Sequence, residues 1–273
     1  MLHNNNLSDF HIHSHFSSDS KAEPEDIIKT AIRLGLKRIC FTDHNDYDYP
    51  LENGNVVFQL DFDSYVAHIA QLRDKYSGKI DIYTGVEQGL QKHLCRRIDE
   101  YDKDGLLDFI IGSSHLVYGQ DPYYKEYWDN HSVNDSILNY FQSIADNINS
   151  CHNYDVYGHL DYIIRYAPNQ DKDYNWKAYS DIIDDILKSL INNGKGIEIN
   201  TAGLKYGLNE PNPCHGIVKR YKELGGEIIT TGSDAHLPEH IAYDFNIISD
   251  YLTSAGFKYY TIFSKRKPEF IHL

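Results

Sequence analysis

Short apolar runs rich in β-branched and aromatic residues recur along the 273 residues, and a longer stretch with helical spacing separates each from the next. The runs predict strands at about 7–13, 38–43, 80–86, 108–114, 154–158, 195–200 and 227–233. Helical periodicity falls at about 24–36, 61–76, 134–150, 177–193 and 213–224. In the first of these, Ile27, Ile28, Ala31, Ile32 and Leu34 supply the apolar face. Glu23 or Glu25 stands where a helix N-terminus favours negative charge, and Gly35 marks the stop. Strand and helix alternating about seven times is the pattern of a parallel α/β sheet or barrel. No Pro/Gly/Ser-rich linker, composition shift or fixed-period repeat divides the chain, so one domain spanning 1–273 is expected. The polar and aromatic segment from Tyr118 to His131 has no helical period and reads as either a lid over a site or a packed surface loop.

Charge narrows the partners. The net charge of −14 disfavours long contact with a nucleic-acid duplex, which depends on Lys and Arg neutralising phosphates. No basic block longer than Lys265-Arg266-Lys267 offsets it. Cys40, Cys95, Cys151 and Cys214 lie more than fifty residues apart, giving neither a CxxC pair nor a dense disulfide framework, so a reducing compartment is expected. The first six residues have no basic-then-apolar pattern, and no run of eighteen apolar residues occurs, so a soluble, cytoplasmic protein without a membrane partner is expected.

The fifteen histidines are more informative by position than by number. His11 and His13 end the first predicted strand two residues apart and so point to the same face. An isolated HxH would count for little, but the other predicted strands mostly end in metal-ligand types too. The second ends Thr42-Asp43-His44, the third Val86-Glu87, the fourth Ser114-His115, the fifth Gly158-His159, and the seventh Ser233-Asp234-Ala235-His236. In barrels and doubly wound sheets those ends form the rim that carries the chemistry. Glycines beside several of them allow close approach. With Asp19 added, the rim offers six imidazoles and three carboxylates, too many for one four- or five-coordinate ion. They suit two or three divalent ions bridged by a carboxylate. Nitrogen and oxygen donors without thiolate fit Zn²⁺, Mn²⁺ or Fe²⁺.

The ordered set of HxH, TDH, strand-end Glu, lone His, GH and a final DxH resembles the polymerase and histidinol phosphatase (PHP) superfamily. The motifs span residues 9 to 236. The resemblance implies a distorted (β/α)7 barrel with a trinuclear metal site at the carboxyl rim. It assigns His11, His13, Glu87 and Asp234 to one ion. Glu87, as bridge, joins His115 and His159 at a second, and Asp19, His44 and His236 hold a third. Family members carry Asp or His eight positions after the first histidine. Here that position is Asp19, which is preferred over His15, read as a turn residue. The runs IGSSHLVYG (111–119) and IEINTAGL (197–204) are similar to the stand-alone histidinol-phosphate phosphatases rather than to polymerase-attached domains. The tail after about 245 and the Tyr-rich insertion lie outside the resemblance.

The activity so implied is hydrolysis of the small phosphate ester L-histidinol phosphate by metal-bound hydroxide. A dianionic phosphate must approach an acidic protein, and three divalent ions among three carboxylates leave a local charge of about +3 to recruit it. Proton delivery to the leaving oxygen falls to a metal-bound water, Asp19 or His236, with Glu87 bridging the ions. Arg165 occupies a place where the phosphatases carry a phosphate-binding basic residue, and Lys205 stands where they often have Arg. Tyr118, Tyr123, Tyr124 and Trp128 are candidates to flank an imidazole-bearing substrate. His3, His68, His93, His131, His152, His215, His240 and His272 read as surface, loop or tail residues. Two alternatives stand beside this reading: a phosphoesterase acting on another small ester or a nucleotide, and a non-catalytic metal-binding regulatory protein. The sequence leaves the oligomeric state open.

Overall fold

The computed structural model describes residues 6–129 and 131–273. His3 and Asn130 of the insertion lie outside the described residues. The chain begins with strand β1 (Asp9–Ile12), helix α1 (Pro24–Leu34), β2 (Arg38–Phe41), the two-residue β3 (His44–Asn45), α2 (Phe62–Lys75), β4 (Asp81–Gly89) and α3 (Cys95–Asp99). It continues through β5 (Phe109–Ser113), α4 (Lys125–Trp128), α5 (Val133–Ile148), β6 (Val156–Tyr157), α6 (Ser180–Asn192), β7 (Gly196–Asn200), α7 (Ala202–Lys205), α8 (His215–Glu223) and β8 (Ile229–Gly232). After α9 (Ile248–Ser254) it ends in the hairpin β9 (Tyr259–Ser264) and β10 (Lys267–His272).

Seven strands run parallel in the order β1-β2-β4-β5-β6-β7-β8. The last returns to the first at the carboxyl rim. There Ile12 bridges Ala235, the His13 amide donates to the Ala235 carbonyl at 2.8 Å, and the Asp234 amide donates to the His11 carbonyl at 2.8 Å. The result is the nearly closed, distorted (β/α) barrel that the family resemblance implies, and it decides between the sheet and the barrel that the strand–helix alternation left open. β3 keeps the register of β2 on β4, with Phe41 opposite Thr84 and His44 opposite Glu87. This continuation past the interruption at Thr42 and Asp43 is what sets His44 beside Glu87.

The helices form where the pattern places them. α1 has Pro24 in its first turn, where a missing N–H costs nothing, and ends at Gly35 with φ 87°, a left-handed stop that glycine adopts without a Cβ penalty. Asp61 caps α2 and Ser132 caps α5, each accepting from a backbone amide three residues on. Ile27, Ile28 and Ala31 of α1 join Ile39 and Phe41 in the core, as Ile183, Ile186, Leu187 and Leu190 of α6 do on the other side.

The hairpin β9–β10, which the sequence pattern does not single out, covers the amino end of the barrel. Phe109 stacks on Phe263 at 5.1 Å and meets Phe10 edge-on at 5.7 Å. Lys265 and Arg266, both at positive φ in the hairpin turn, tie down to Asp108 and Asp155. One expectation needs correcting. The wide cysteine spacing argued for a reducing compartment, yet Cys95 and Cys151 form a disulfide joining the start of α3 to the loop after α5, while Cys40 and Cys214 are free. Sequence separation said nothing of this, because the pairing depends on the packing of α5 beside the loop after β4. Among the described residues no helix is long and apolar enough to cross a membrane.

Candidate metal centre

Glu87 is the hub. It is fully buried near the end of β4, and each of its oxygens faces its own group of imidazoles. Oε1 lies 3.1 Å from His115 Nε2 and 2.9 Å from His159 Nε2, and accepts from the Ser113 hydroxyl at 2.7 Å. Oε2 lies 3.2 Å from His11 Nε2, 3.4 Å from His13 Nε2 and 3.0 Å from His44 Nδ1. Asp234 Oδ1 stands 3.3 Å from His13 Nε2, 3.8 Å from His11 Nε2 and 3.6 Å from His236 Nδ1. Asp19 Oδ2 faces His236 Nε2 at 3.1 Å and His44 Nε2 at 3.7 Å. All nine residues expected at the rim therefore meet in one place. His15 does not join them: it is partly exposed and pairs with Glu23 at 3.3 Å.

Several polar residues outside the expected set hold the histidines. Glu198 Oε1 sits 2.6 Å from His11 Nδ1, and its Oε2 accepts the His159 amide at 2.9 Å. Asp46 Oδ1 sits 2.7 Å from His115 Nδ1. Ser17 meets His13 Nδ1 at 3.1 Å, and Asp43 gathers Ser14 and Ser17 through four hydrogen bonds of 2.6–3.1 Å. A carboxylate on the far nitrogen fixes a ring's tautomer and orientation and raises its basicity as a ligand. The signal for Asp46 and Glu198 was the alternation of strands: Asp46 lies two residues after His44, and Glu198 two before Asn200, in inward-facing phase. Gly232 is required for closeness, since a Cβ there would overlap the His11 side chain and Glu198 Oε1. His159 (φ 23°) and Asp234 (φ 52°) both take left-handed backbone angles, a cost that surrounding structure must sustain and that concentrates at functional sites.

The field here calls for positive charge. Burial opposes ionisation of Glu87, yet His11, His115 and His44 outweigh it and hold its pKa well below the usual carboxylate range. Burial likewise works against charge on His11, but Glu198, Glu87 and Asp234 raise its pKa well above the ordinary histidine value. His115 is pushed up to about 10 against its own burial, by Asp46 and Glu87. His13 goes the other way, depressed by burial and by the neighbouring His236 and His44. Among the described residues, twelve buried side-chain nitrogens or oxygens lack a hydrogen-bond partner, and seven fall in this cluster. They include Nε2 of His11 and of His13, Nδ1 of His44 and Oε2 of Glu87. Buried polar atoms are normally satisfied, so ligand atoms converging without donors between them suit cations. Four overlapping triads have ligand atoms mutually within 4.8 Å: His13-His44-His236, His11-His13-Asp234, His11-Glu87-His159 and His44-Asp46-His115. The donor set fits divalent metal.

The cluster forms the floor of an open cavity of about 790 Å³. Arg165 and Lys205 line it, but neither stands free. The buried Arg165 donates from Nη1 to Asp234 Oδ2 at 2.9 Å, from Nη2 to Asn200 Oδ1 at 2.8 Å and from Nε to Asn212 Oδ1 at 2.8 Å. Lys205 Nζ donates to the Asp234 carbonyl at 3.3 Å. From the insertion, Asp121, Tyr123 and Tyr124 reach the cavity, whereas Tyr118 and Trp128 are not among its lining residues. His240, read from sequence as a surface, loop or tail residue, lines the cavity, because the chain turns back over the rim in a short 3-10 turn after His236.

The PHP domain family profile matches residues 9–202, and the chain belongs to this family. The histidinol-phosphatase of Lactococcus lactis subsp. lactis (strain IL1403) is 30% identical over 260 residues, 95% of each chain. The probable histidinol-phosphatase of Thermotoga maritima is 33% identical over 261 residues, 95% of this chain and 97% of that one. Among solved structures, the Lactococcus lactis histidinol phosphate phosphatase, crystallised with zinc, L-histidinol and phosphate, superposes with a TM-score of 0.87. That comparison covers 97% of this chain and 99% of the other at 30% identity.

Proposed function

We propose that this chain, acting as one unit from 1 to 273, hydrolyses L-histidinol phosphate to L-histidinol and phosphate. The observation that carries the reading is the placement of Glu87, one carboxylate shared between two groups of imidazoles at the floor of an open cavity. The similarity to histidinol-phosphatases over nearly the whole chain supports the substrate. His11, His13, Glu87 and Asp234 would hold one ion, Glu87, His115 and His159 a second, and Asp19, His44 and His236 a third. Zinc in the Lactococcus structure makes Zn²⁺ the first candidate, with Mn²⁺ and Fe²⁺ fitting the same donors. Bound divalent ions supply Lewis acidity toward phosphoryl oxygen and a nucleophile at neutral pH.

The chain's own residues do the rest. Glu198 and Asp46 keep His11 and His115 in the tautomers that present Nε2 to the centre. The terminal nitrogens of Arg165 each keep one further N–H beyond those bound to Asp234 and Asn200, and with the Lys205 ammonium they offer cationic donors to phosphate. Asp19 and His236, paired on the cavity wall, are placed to pass a proton to the leaving oxygen. Tyr123 and Tyr124 line the wall available to the imidazole. The test is phosphate release from histidinol phosphate beside nucleotides and p-nitrophenyl phosphate, with and without chelator. Chelator-sensitive preference for histidinol phosphate is expected. A preference for another ester overturns the substrate, and no turnover of any ester by metal-replete protein overturns the enzyme.

A further inference from the structure

Behind the metal centre a buried chain of hydrogen bonds leads away from the cavity and ends on a carboxylate that no catalytic step uses. Asp161, 1% exposed, accepts from Asn212 Nδ2 at 2.6 Å through Oδ1 and from the Cys214 amide at 3.0 Å through Oδ2. Asn212, also 1% exposed, turns its carbonyl to Arg165 Nε at 2.8 Å. Arg165 Nη1 then donates to Asp234 Oδ2 at 2.9 Å, which leaves Asp234 Oδ1 directed at His11 and His13. The backbone of Asn212 is itself pinned to Asn200 by reciprocal hydrogen bonds of 2.7 and 2.9 Å, and Asn200 Oδ1 takes the remaining edge of the guanidinium.

The polarity of this chain is set from its far end. A carboxylate at 161 is an acceptor only, so it compels the Asn212 amide to present NH₂ to itself and C=O to Arg165. An amide free to turn over would meet the Arg165 N–H with another N–H, two donors in a place closed to water. The guanidinium would then lose one of its three fixed partners, and with it the angle at which it grips Asp234. From these contacts the geometry points to Asp161 and Asn212 as positioning residues. They lock Arg165, and through it the Asp234 carboxylate, in the orientation the metal centre needs, without touching ion or substrate.

This inference rests on the phosphatase reading above, and its test keeps the two separate. Metal affinity is measured by chelator competition, and kcat and KM for histidinol phosphate are followed alongside, in wild type, Asp161→Asn, Arg165→Lys and the double variant. Outer partners of metal ligands typically contribute about 10–100-fold in affinity or activity, so Asp161→Asn is expected to weaken metal binding within that range. In the Arg165→Lys background the same change should have no further effect, because the link it acts through is already broken. Losses that multiply in the double variant, or an Asp161→Asn protein with wild-type metal affinity, overturn the relay. If Asp161→Asn does not fold, Asn212→Leu, which removes both the carbonyl that Arg165 uses and the amide that Asp161 accepts, is read in the same cycle. Failure of both to fold assigns Asp161 to general stability and also overturns it. Wild-type protein that binds metal but leaves histidinol phosphate intact overturns the substrate reading alone, since the affinity cycle needs no turnover.

Discussion

Replacing Glu87 with Gln keeps the shape of the side chain and removes one negative charge from a point where five imidazole nitrogens lie 2.9–3.4 Å away. The amide also brings two hydrogens to whichever group of histidines its nitrogen faces, where ligand lone pairs should point. At an effective dielectric of about 20, unit charges about 4 Å apart interact by about 4 kcal/mol. Taken as a floor for a divalent ion, that is a loss of about a thousandfold in affinity, at about 1.4 kcal/mol per tenfold. The assay is elemental analysis after dialysis against graded chelator, followed by phosphate release from histidinol phosphate at saturating substrate. Glu87→Gln should lose metal at chelator concentrations that leave wild type loaded, and its turnover should fall by about three orders of magnitude or more. Circular dichroism guards against misfolding, because the Ser113 hydroxyl can still donate to the amide oxygen. A folded variant with wild-type metal content and turnover would refute the hub role and the centre built around it.

His15→Ala should keep metal content and activity within about twofold, since an exposed ion pair contributes about 0–1 kcal/mol, whereas Asp19→Ala should lower both; equal effects in the two would contradict the choice of ligand. Gly232→Ala should cut turnover at least tenfold in a soluble protein, because the new methyl group displaces His11 and Glu198; unchanged kcat/KM would show that the strand yields instead. Burial raises the pKa of Asp9 from 3.8 to about 6 in spite of its bonds to Ser233 and Ala242. The folded state therefore binds that proton more tightly than the unfolded chain. Stability from this group is full below about pH 4 and falls by about 3 kcal/mol as pH rises through about 6. In urea unfolding, the stability of wild type relative to Asp9→Asn should decline over that window, and a flat or rising difference would reverse the sign.

The rim was readable from sequence because strand order and side-chain alternation bring strand-end residues together whatever lies between them. His11, His13, Glu87, His159 and Asp234 each stood at the end of an apolar run, and parallel pairing placed them within reach. Helix boundaries were equally local, as the Pro24 start and Gly35 stop of α1 illustrate. What stayed hidden depends on partners far along the chain. Glu198 meets His11 across 187 residues, and the Cys95–Cys151 bond and the hairpin's ties to Asp108 and Asp155 have no local signature. Arg165 shows the same limit. The resemblance singled it out as a candidate phosphate-binding cation, but nothing local says that its guanidinium also binds Asp234, Asn200 and Asn212.

The place where the barrel meets itself has a further consequence. His11 and His13 lie on one side of the join between β1 and β8, Asp234 and His236 on the other, and the backbone bonds that close the join belong to His11, His13, Asp234 and Ala235. An ion shared across that join would act as a clasp on the wall of the cylinder. Loading and closure would then be one thermodynamic event, stabilising the closed form in proportion to the logarithm of free metal. Amide protons along this seam, more than those of the opposite staves, should register the ion's departure as faster exchange with solvent.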